Sequence, residues 1–202
     1  MRLTISLILI GVIWAIWLLF GDSAIVYGIH PRDISSIRGI FFSTFIHANF
    51  NHIVSNTLPL FLLTWMLGVF YKRIWIVVWI LITISGGALV WLFARANTVV
   101  ITESIQNSIP TYHVGASLTI FALLGFFLAS GIFRKEVKAL LLAIGVGFLY
   151  GGAIISGIVP SDPHVSWEAH LFGFIAGIFW AYVFRKVKNI KEKTILPDET
   201  MT

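Results

Sequence analysis

The chain has 202 residues, of which 58% are hydrophobic and only 11% are charged, and its mean hydropathy is +0.92. A soluble domain usually carries about a quarter of charged residues, so this composition excludes an ordinary soluble globule and indicates a membrane protein. The chain has no cysteine, which excludes disulfides, thiolate metal sites and a cysteine nucleophile. Its net charge of +5 is interpreted below as a signal of membrane topology rather than as affinity for nucleic acid.

Six apolar runs are long enough to cross a bilayer. They cover residues 3–20, 52–71, 74–93, 117–133, 137–158 and 169–184. The first is an 18-residue apolar stretch, too long for the apolar region of a typical signal peptide, and is interpreted as a retained helix. The sequence therefore predicts an all-α, polytopic membrane protein with a six-transmembrane-helix bundle in residues 1–186 and a short charged tail in residues 187–202.

The basic residues alternate between the two sides of the predicted bundle. Eleven of the 14 Lys and Arg residues fall before the first span, in or directly beside the second and fourth connections, or after the last span. The positive-inside rule then places both termini in the cytoplasm. Connections 21–51, 94–116 and 159–168 face outward. Three outer-loop histidines without a partner suggested by spacing are expected to be solvated, namely His30, His113 and His164, and Asp162 and Glu168 are also placed in these loops.

Polar residues enter three of these spans at their outer ends. His52 and Asn56 are four residues apart and share one face of the second span. Ser117 opens the fourth span, with Gly115 just before it, and His170 opens the sixth. The topology places all of them at one depth near the outer surface. A polar side chain in a span must be satisfied without bulk water, so such a cluster points to function.

These residue types suit acyl-transfer chemistry. A histidine beside a serine can remove the hydroxyl proton, and free N–H groups at a helix start can stabilise an oxyanion. His52 and Asn56 offer further donors, and Gly115 allows a close backbone approach. Gly173, Gly177 and Ala181 form a stripe of small residues that would let the sixth span pack tightly on its neighbour and bring His170 close to Ser117.

Each feature alone has a structural explanation. A serine at a helix start is commonly a cap, a small-residue stripe is commonly packing, and an interfacial histidine or asparagine commonly only satisfies its neighbours. Their coincidence at one depth, from three separate segments, favours a shared site.

Three motifs resemble those of the rhomboid intramembrane serine proteases. "HANFNHIVSN" fits the His-x4-His-x3-Asn signature of that family's second helix, "GAS" resembles its Gly-x-Ser nucleophile motif, and "AHLFGFIAG" resembles its Ala-His-x-x-Gly-x-x-x-Gly motif. The order of the motifs, the six spans and the cytoplasmic termini agree, so the resemblance covers about residues 1–185.

The resemblance implies roles for individual residues. Ser117 would be the nucleophile and His170 the general base, while His52 and Asn56 would line the oxyanion hole with the Ser117 backbone N–H. His47 would hold the first loop in place. Residues 137–168 would form a lateral gate and cap for an entering substrate helix.

The chain departs from the family pattern at three places. Leu118 replaces the usual glycine after the nucleophile and is expected to crowd the oxyanion hole. Phe121 keeps an aromatic ring against the catalytic histidine but lacks the common tyrosine hydroxyl. The Trp-Arg pair of the first loop is reduced to Arg38.

The resulting prediction is a serine endopeptidase that cleaves transmembrane segments of other membrane proteins, without cofactor or metal. It would reside in a prokaryotic cytoplasmic membrane with its site near the outer face. One alternative is an inactive rhomboid-like protein that binds transmembrane helices. Another is a small channel or metal transporter using His47, His52 and His170.

Overall fold

The computed structural model describes residues 1–102, 105–160 and 165–187. The helices in this part of the chain are α1 (Arg2–Phe20), α2 (Gly39–Phe42), α3 (Phe50–Phe70), α4 (Trp75–Phe93), α5 (Ser117–Phe133), α6 (Val137–Ile158) and α7 (Trp167–Val183). Single 3₁₀ segments lie at Gly21–Tyr27, Ile34–Ser36, Ser43–Phe45 and Phe184–Lys186. Apart from Val187, the predicted charged tail lies outside the described residues.

The six predicted spans are confirmed as α1, α3, α4, α5, α6 and α7, each within two residues of its predicted bounds. Five stretches are long and apolar enough to cross a membrane: α1 with the 3₁₀ segment after it (Arg2–Tyr27), α3, α4, α6, and α7 with the 3₁₀ segment after it (Trp167–Lys186). Helix α5, with 17 residues and no such extension, is a shorter apolar helix. The chain is therefore an integral, multi-pass membrane protein with an all-α bundle.

Helix α5 lies at the centre of the bundle. It contacts α3, α4, α6 and α7, and 14 of its 17 residues are buried. Residues 134–136 join it to α6. Near the other end of α6, a Cβ atom at Gly157 would collide with the Phe121 ring, so that end of α6 packs against the first turns of α5.

The contact between α5 and α7 depends on glycine. A Cβ atom at Gly173 would collide with the Leu118 carbonyl oxygen, and one at Gly177 with the Ala122 carbonyl oxygen. Only a residue without a side chain allows two helix backbones to approach so closely. The predicted small-residue stripe, which ends at the buried Ala181, therefore lies against α5.

A short hairpin in the outer connection between α4 and α5 was not predicted. Strands β1 (Asn97–Thr102) and β2 (Ile105–Pro110) pair antiparallel, with Asn97 opposite Pro110 and Thr102 opposite Ile105. The segment is rich in β-branched residues, which favour strands. Its backbone groups are paired within the loop, so the all-α bundle carries one small β element.

The first outer loop packs onto the rest of the bundle. Ile29 and His113 exchange backbone hydrogen bonds of 2.8 and 3.0 Å, and the Trp91 indole N–H donates to the Asp33 carbonyl at 3.0 Å. The Arg32 guanidinium donates to the carbonyl of Ala94 at 2.8 Å, at the end of α4, where a cation complements the helix dipole. This loop is therefore hydrogen-bonded to the end of α4 and to the connection between α4 and α5.

Candidate active site

Ser117 is the first residue of α5 and is 9% exposed. The turn before it places Gly115 at a φ of +117°, which L side chains rarely adopt. No side chain caps the start of α5. The first N–H groups of the helix therefore remain available beside the Ser117 hydroxyl, in the direction that suits a bound anion.

The first loop forms two hydrogen bonds with this turn. The Gly115 N–H donates to the Ser43 carbonyl at 2.9 Å, and the Ala116 N–H donates to His47 Nε2 at 3.3 Å. Because Nε2 accepts, His47 is neutral. Burial, together with a smaller effect of the nearby His52, lowers the pKa of His47 to about 3. His47 thus contacts the residue directly before the serine.

His52 lies across Gly115 from the serine. A Cβ atom at Gly115 would fall 2.5 Å from His52 Nε2 and 3.5 Å from Ser117 Oγ, so the two side chains meet around this glycine. The Ala48 N–H approaches His52 Nδ1 at 3.5 Å, which makes Nδ1 the acceptor. A neutral ring then carries its proton on Nε2, the atom on the Gly115 side.

Asn56 follows one turn later on α3 and is 6% exposed. Within the described part of the chain, its buried Nδ2 has no hydrogen-bond partner. Buried donors are nearly always paired, so an unpaired one calls for an explanation. The amide is free to donate to an acceptor that the protein itself does not supply.

His170 is fixed on two sides. Its Nδ1 lies 2.8 Å from the Gly157 carbonyl oxygen of α6, and a carbonyl can only accept, so Nδ1 carries the proton. The Phe121 ring stacks on the imidazole with centroids 4.1 Å apart and planes 3° apart. The neutral ring therefore presents an unprotonated Nε2, as a general base requires.

Ser117 and His170 belong to two helices in direct contact. Phe121, which stacks on His170, lies four residues after Ser117 and hence on the same face of α5. Among the described residues, no hydrogen bond joins the Ser117 hydroxyl to His170. Catalytic hydrogen bonds are often long before substrate binds.

Comparison with known proteins places this arrangement in a family. The family model described as Rhomboid domain matches residues 35–187. The chain belongs to the rhomboid family. The resemblance found in the three sequence motifs is thereby confirmed at the level of the family.

Two curated relatives of this rhomboid cover most of the chain. An uncharacterized protein of Mycobacterium tuberculosis (strain H37Rv) is 31% identical over 183 residues, which is 86% of this chain and 71% of the relative. An uncharacterized protein of Mycobacterium leprae is 33% identical over 180 residues, 81% of this chain and 67% of the relative.

Leu118 was expected to crowd the oxyanion hole, and the structure shows where its side chain lies. Leu118 is buried in a cluster with Ile29, Val90, Ala94 and Ala169, on the side of α5 that faces α4 and α7. A Cβ atom at Gly86 of α4 would lie 3.1 Å from Leu118 Cδ2. The leucine side chain therefore fills the space between α4 and α7.

Two residues that were placed in the outer loops, His113 and Glu168, are buried. His113 is 1% exposed; its Nε2 donates to the Arg95 carbonyl at 2.9 Å, and its Nδ1 lies 2.5 Å from the Ser166 hydroxyl. Burial lowers the pKa of His113. Glu168 is 5% exposed and lies in the first turn of α7, with Oε1 3.5 Å from Arg95 Nε.

The solvated interpretation of His113 was wrong because the loops at this end of the bundle pack against each other. The placement of Glu168 in a loop was wrong because α7 begins at Trp167. The half-buried His30 likewise has a partner, the Thr111 carbonyl oxygen 3.0 Å from its Nδ1. Asp162 and His164 lie outside the described residues. For Glu168 a signal existed, because acidic residues favour the first turn of a helix.

Three buried threonines form another feature that sequence reasoning missed in this rhomboid. The Thr119 hydroxyl of α5 lies 2.9 Å from that of Thr44 in the first loop and 3.0 Å from that of Thr83 in α4. Thr83 also donates to the Trp79 carbonyl at 2.9 Å. The three hydroxyls join the first loop and α4 to α5, two residues after Ser117.

Proposed function

We propose that this rhomboid is an intramembrane serine endopeptidase that cleaves peptide bonds in or near transmembrane segments of other membrane proteins. The observation that carries the proposal is the fixation of His170. Its Nδ1 proton is held by the Gly157 carbonyl and its ring by Phe121, so Nε2 is a free base on the helix that packs against the start of α5.

In the proposed reaction, Ser117 Oγ attacks the scissile carbonyl carbon while its proton passes to His170 Nε2. The carbonyl oxygen gains negative charge in the tetrahedral intermediate. The C–N bond then breaks, and His170 returns the proton to the leaving amine. Water, with His170 again as base, releases the acyl group from Ser117.

Three donors are proposed to stabilise the oxyanion: the Ser117 backbone N–H, His52 Nε2–H and Asn56 Nδ2. The uncapped start of α5, the tautomer of His52 and the unpaired amide of Asn56 support this assignment. Such donors lower the barrier because they are oriented before charge develops. His47 is proposed as a positioning residue, since it accepts from the Ala116 N–H rather than facing the substrate.

The Gly157 carbonyl takes the position that a carboxylate has in a serine–histidine–aspartate triad. A neutral acceptor fixes the tautomer without adding a buried charge. The proposed catalytic unit is thus a dyad, and α6 supplies its third contact from the backbone. The site is proposed to face the outer side of a prokaryotic cytoplasmic membrane, with both termini in the cytoplasm.

The test uses the purified full chain, reconstituted in liposomes with a model transmembrane substrate. Ser117→Ala and His170→Ala should each lower the cleavage rate by at least about a thousandfold. Ser130→Ala, which removes a buried serine elsewhere on α5, is the matched control and should cleave normally. Cleavage by either dyad variant at the wild-type rate would overturn the proposal.

Covalent labelling separates this proposal from an inactive helix-binding rhomboid. A fluorophosphonate probe reacts with an activated serine, so wild-type protein and Ser130→Ala should be labelled and Ser117→Ala should not. A folded wild-type protein that neither reacts with the probe nor cleaves substrate would favour the helix-binding function.

A further inference from the structure

A large groove lies between α3 and α6, at the opposite end of the bundle from the candidate site. Its volume is about 1070 Å³. Leu62, Met66 and Val69 line it from α3, and Leu142, Val146 and Leu149 line it from α6. The walls are therefore aliphatic, and they open toward the lipid between two membrane helices.

The groove is about one leaflet deep. Its lining residues on α6 run from Lys138 to Tyr150, a rise of about 18 Å, and those on α3 from Leu62 to Phe70, about 12 Å. Half of a bilayer core is about 15 Å, whereas a transmembrane helix needs about 30 Å. The dimensions fit a lipid acyl chain better than a spanning helix.

Four cations surround the end of the groove that lies nearest the inner connections. Arg2 opens α1, Lys72 and Arg73 form the turn between α3 and α4, and Lys138 lies in the first turn of α6. Three separate segments thus bring positive charge to one opening, and the groove has no acidic residue among those that line it.

The charges of these four side chains are not neutralised within the described part of the chain, where none of them has an ion pair. The nearest carboxylate in sequence, Glu136, lies 3.4 Å from Arg134 instead. Positive charge above an apolar groove is complementary to a molecule with an anionic head and a hydrocarbon tail. Basic pockets between transmembrane helices on the cytoplasmic side bind anionic headgroups in this way.

We propose that this groove binds one anionic phospholipid of the cytoplasmic leaflet. Its acyl chains lie between α3 and α6, and its phosphate lies among Arg2, Lys72, Arg73 and Lys138. Direct ion pairs to the phosphate distinguish this site from the general attraction of basic loops to a negative membrane surface. The site lies at the opposite end of the bundle from the proposed active site.

Native mass spectrometry of the purified full chain tests the headgroup contact. Phosphatidylglycerol is titrated in a neutral detergent, with phosphatidylcholine as the uncharged comparison. The wild type should retain one phosphatidylglycerol in preference to phosphatidylcholine. Each cation removed should weaken binding about fivefold, so Lys72→Gln/Arg73→Gln should lose about 25-fold.

The matched control is Lys135→Gln/Lys186→Gln. These two exposed lysines lie on the same predicted side of the membrane but do not line the groove. This variant has the same change in net charge and should bind phosphatidylglycerol as the wild type does. Equal weakening in both double variants, or equal retention of the two lipids by the wild type, would overturn the site.

A second pair of variants tests the apolar half. A Cβ atom at Gly145, which lines the groove, or at Gly152, which does not, would meet no atom within 4 Å. Gly145→Leu should therefore fold normally but occupy the groove and weaken phosphatidylglycerol binding about tenfold, an effect comparable to loss of one large apolar contact. Gly152→Leu should leave phosphatidylglycerol binding unchanged.

The transmembrane substrate is the competing occupant. A photoreactive side chain at Leu141, which lines the groove, should cross-link to phospholipid in liposomes that also contain a model substrate. Cross-linking to the substrate helix in place of lipid would overturn the proposal.

Discussion

Asn56 is a buried amide whose Nδ2 has no partner among the described residues. An unsatisfied buried donor destabilises the folded state, so its removal carries little penalty. We predict that Asn56→Ala changes the free energy of unfolding by less than about 1 kcal/mol. The same change should lower kcat about 100-fold, because one donor to the developing oxyanion is lost.

The measurements for Asn56 are thermal unfolding in detergent and cleavage of a transmembrane substrate. Asn51→Ala, which removes an exposed asparagine five residues earlier on the same helix, is the control and should affect neither. A large loss of stability with unchanged kcat in Asn56→Ala would assign the amide to packing between helices.

His47 is expected to make the fold sensitive to acid. Burial lowers its pKa from 6.5 to about 3, so between these values the unfolded chain binds a proton that the folded chain does not. The free energy of unfolding therefore rises with pH in this window. The contribution of His47 is complete above about pH 6.5 and falls by about 1.4 kcal/mol per pH unit below it.

The test for His47 is the pH dependence of thermal unfolding from pH 7 to pH 4.5. Glutamine keeps an acceptor for the Ala116 N–H but does not titrate, so His47→Gln should have a shallower slope than the wild type. His113, whose pKa is also lowered by burial, leaves a residual slope of the same sign. Identical slopes in wild type and His47→Gln would contradict the prediction.

At the scale of elements, the α5–α7 contact sets the distance between the two proposed catalytic residues. A methyl group at Gly177 would collide with the Ala122 carbonyl oxygen. Gly177→Ala should therefore destabilise the fold by about 2 kcal/mol, despite the better helix propensity of alanine. Cleavage should also fall, because the start of α7 carries His170.

Gly151→Ala on α6 is the matched control. A Cβ atom there would meet no atom within 4 Å, so only the helix propensity changes and stability should rise by up to about 1 kcal/mol. Thermal unfolding of the two variants measures the difference in their stabilities. Equal stability of Gly177→Ala and Gly151→Ala would show that the helices can separate at no cost.

The helices were predictable from the sequence because each span is a long apolar run. The errors lie at polar ends: α3 begins at Phe50 and α7 at Trp167, two residues before the predicted starts. The Asn49 side chain accepts from the His52 N–H at 2.9 Å and caps α3, and Glu168 lies in the first turn of α7. Hydropathy alone does not include such polar turns.

The candidate site was predictable only in part, because the sequence indicates where helices begin but not which loops contact each other. Ser117, His52 and His170 are at outer span ends, so topology brings their segments to one depth. The contacts of Thr119 with Thr44 and of His113 with Ser166 join residues far apart in sequence and have no periodic signal. These contacts form only when the loops pack, and the β hairpin likewise lies in a loop that hydropathy does not describe.

For the whole molecule, the distribution of charge predicts the orientation in the membrane. Helix ends that carry Lys72, Arg73, Lys135 and Lys138 lie opposite the end where α5 and α7 begin. Moving this many cations across a bilayer is costly, which is the physical basis of the positive-inside rule. The basic end should face the cytoplasm and Ser117 should face the outer side.

Cysteine labelling tests this orientation without background, because the chain has no cysteine of its own. Ser23→Cys and Lys135→Cys place one thiol at exposed positions at opposite ends of the bundle. In intact spheroplasts, a membrane-impermeant maleimide should label Ser23→Cys and leave Lys135→Cys unreacted. After lysis both should react, which confirms that each thiol is accessible. The reverse pattern would place the proposed active site on the cytoplasmic side and would contradict both the orientation and the leaflet assigned to the bound lipid.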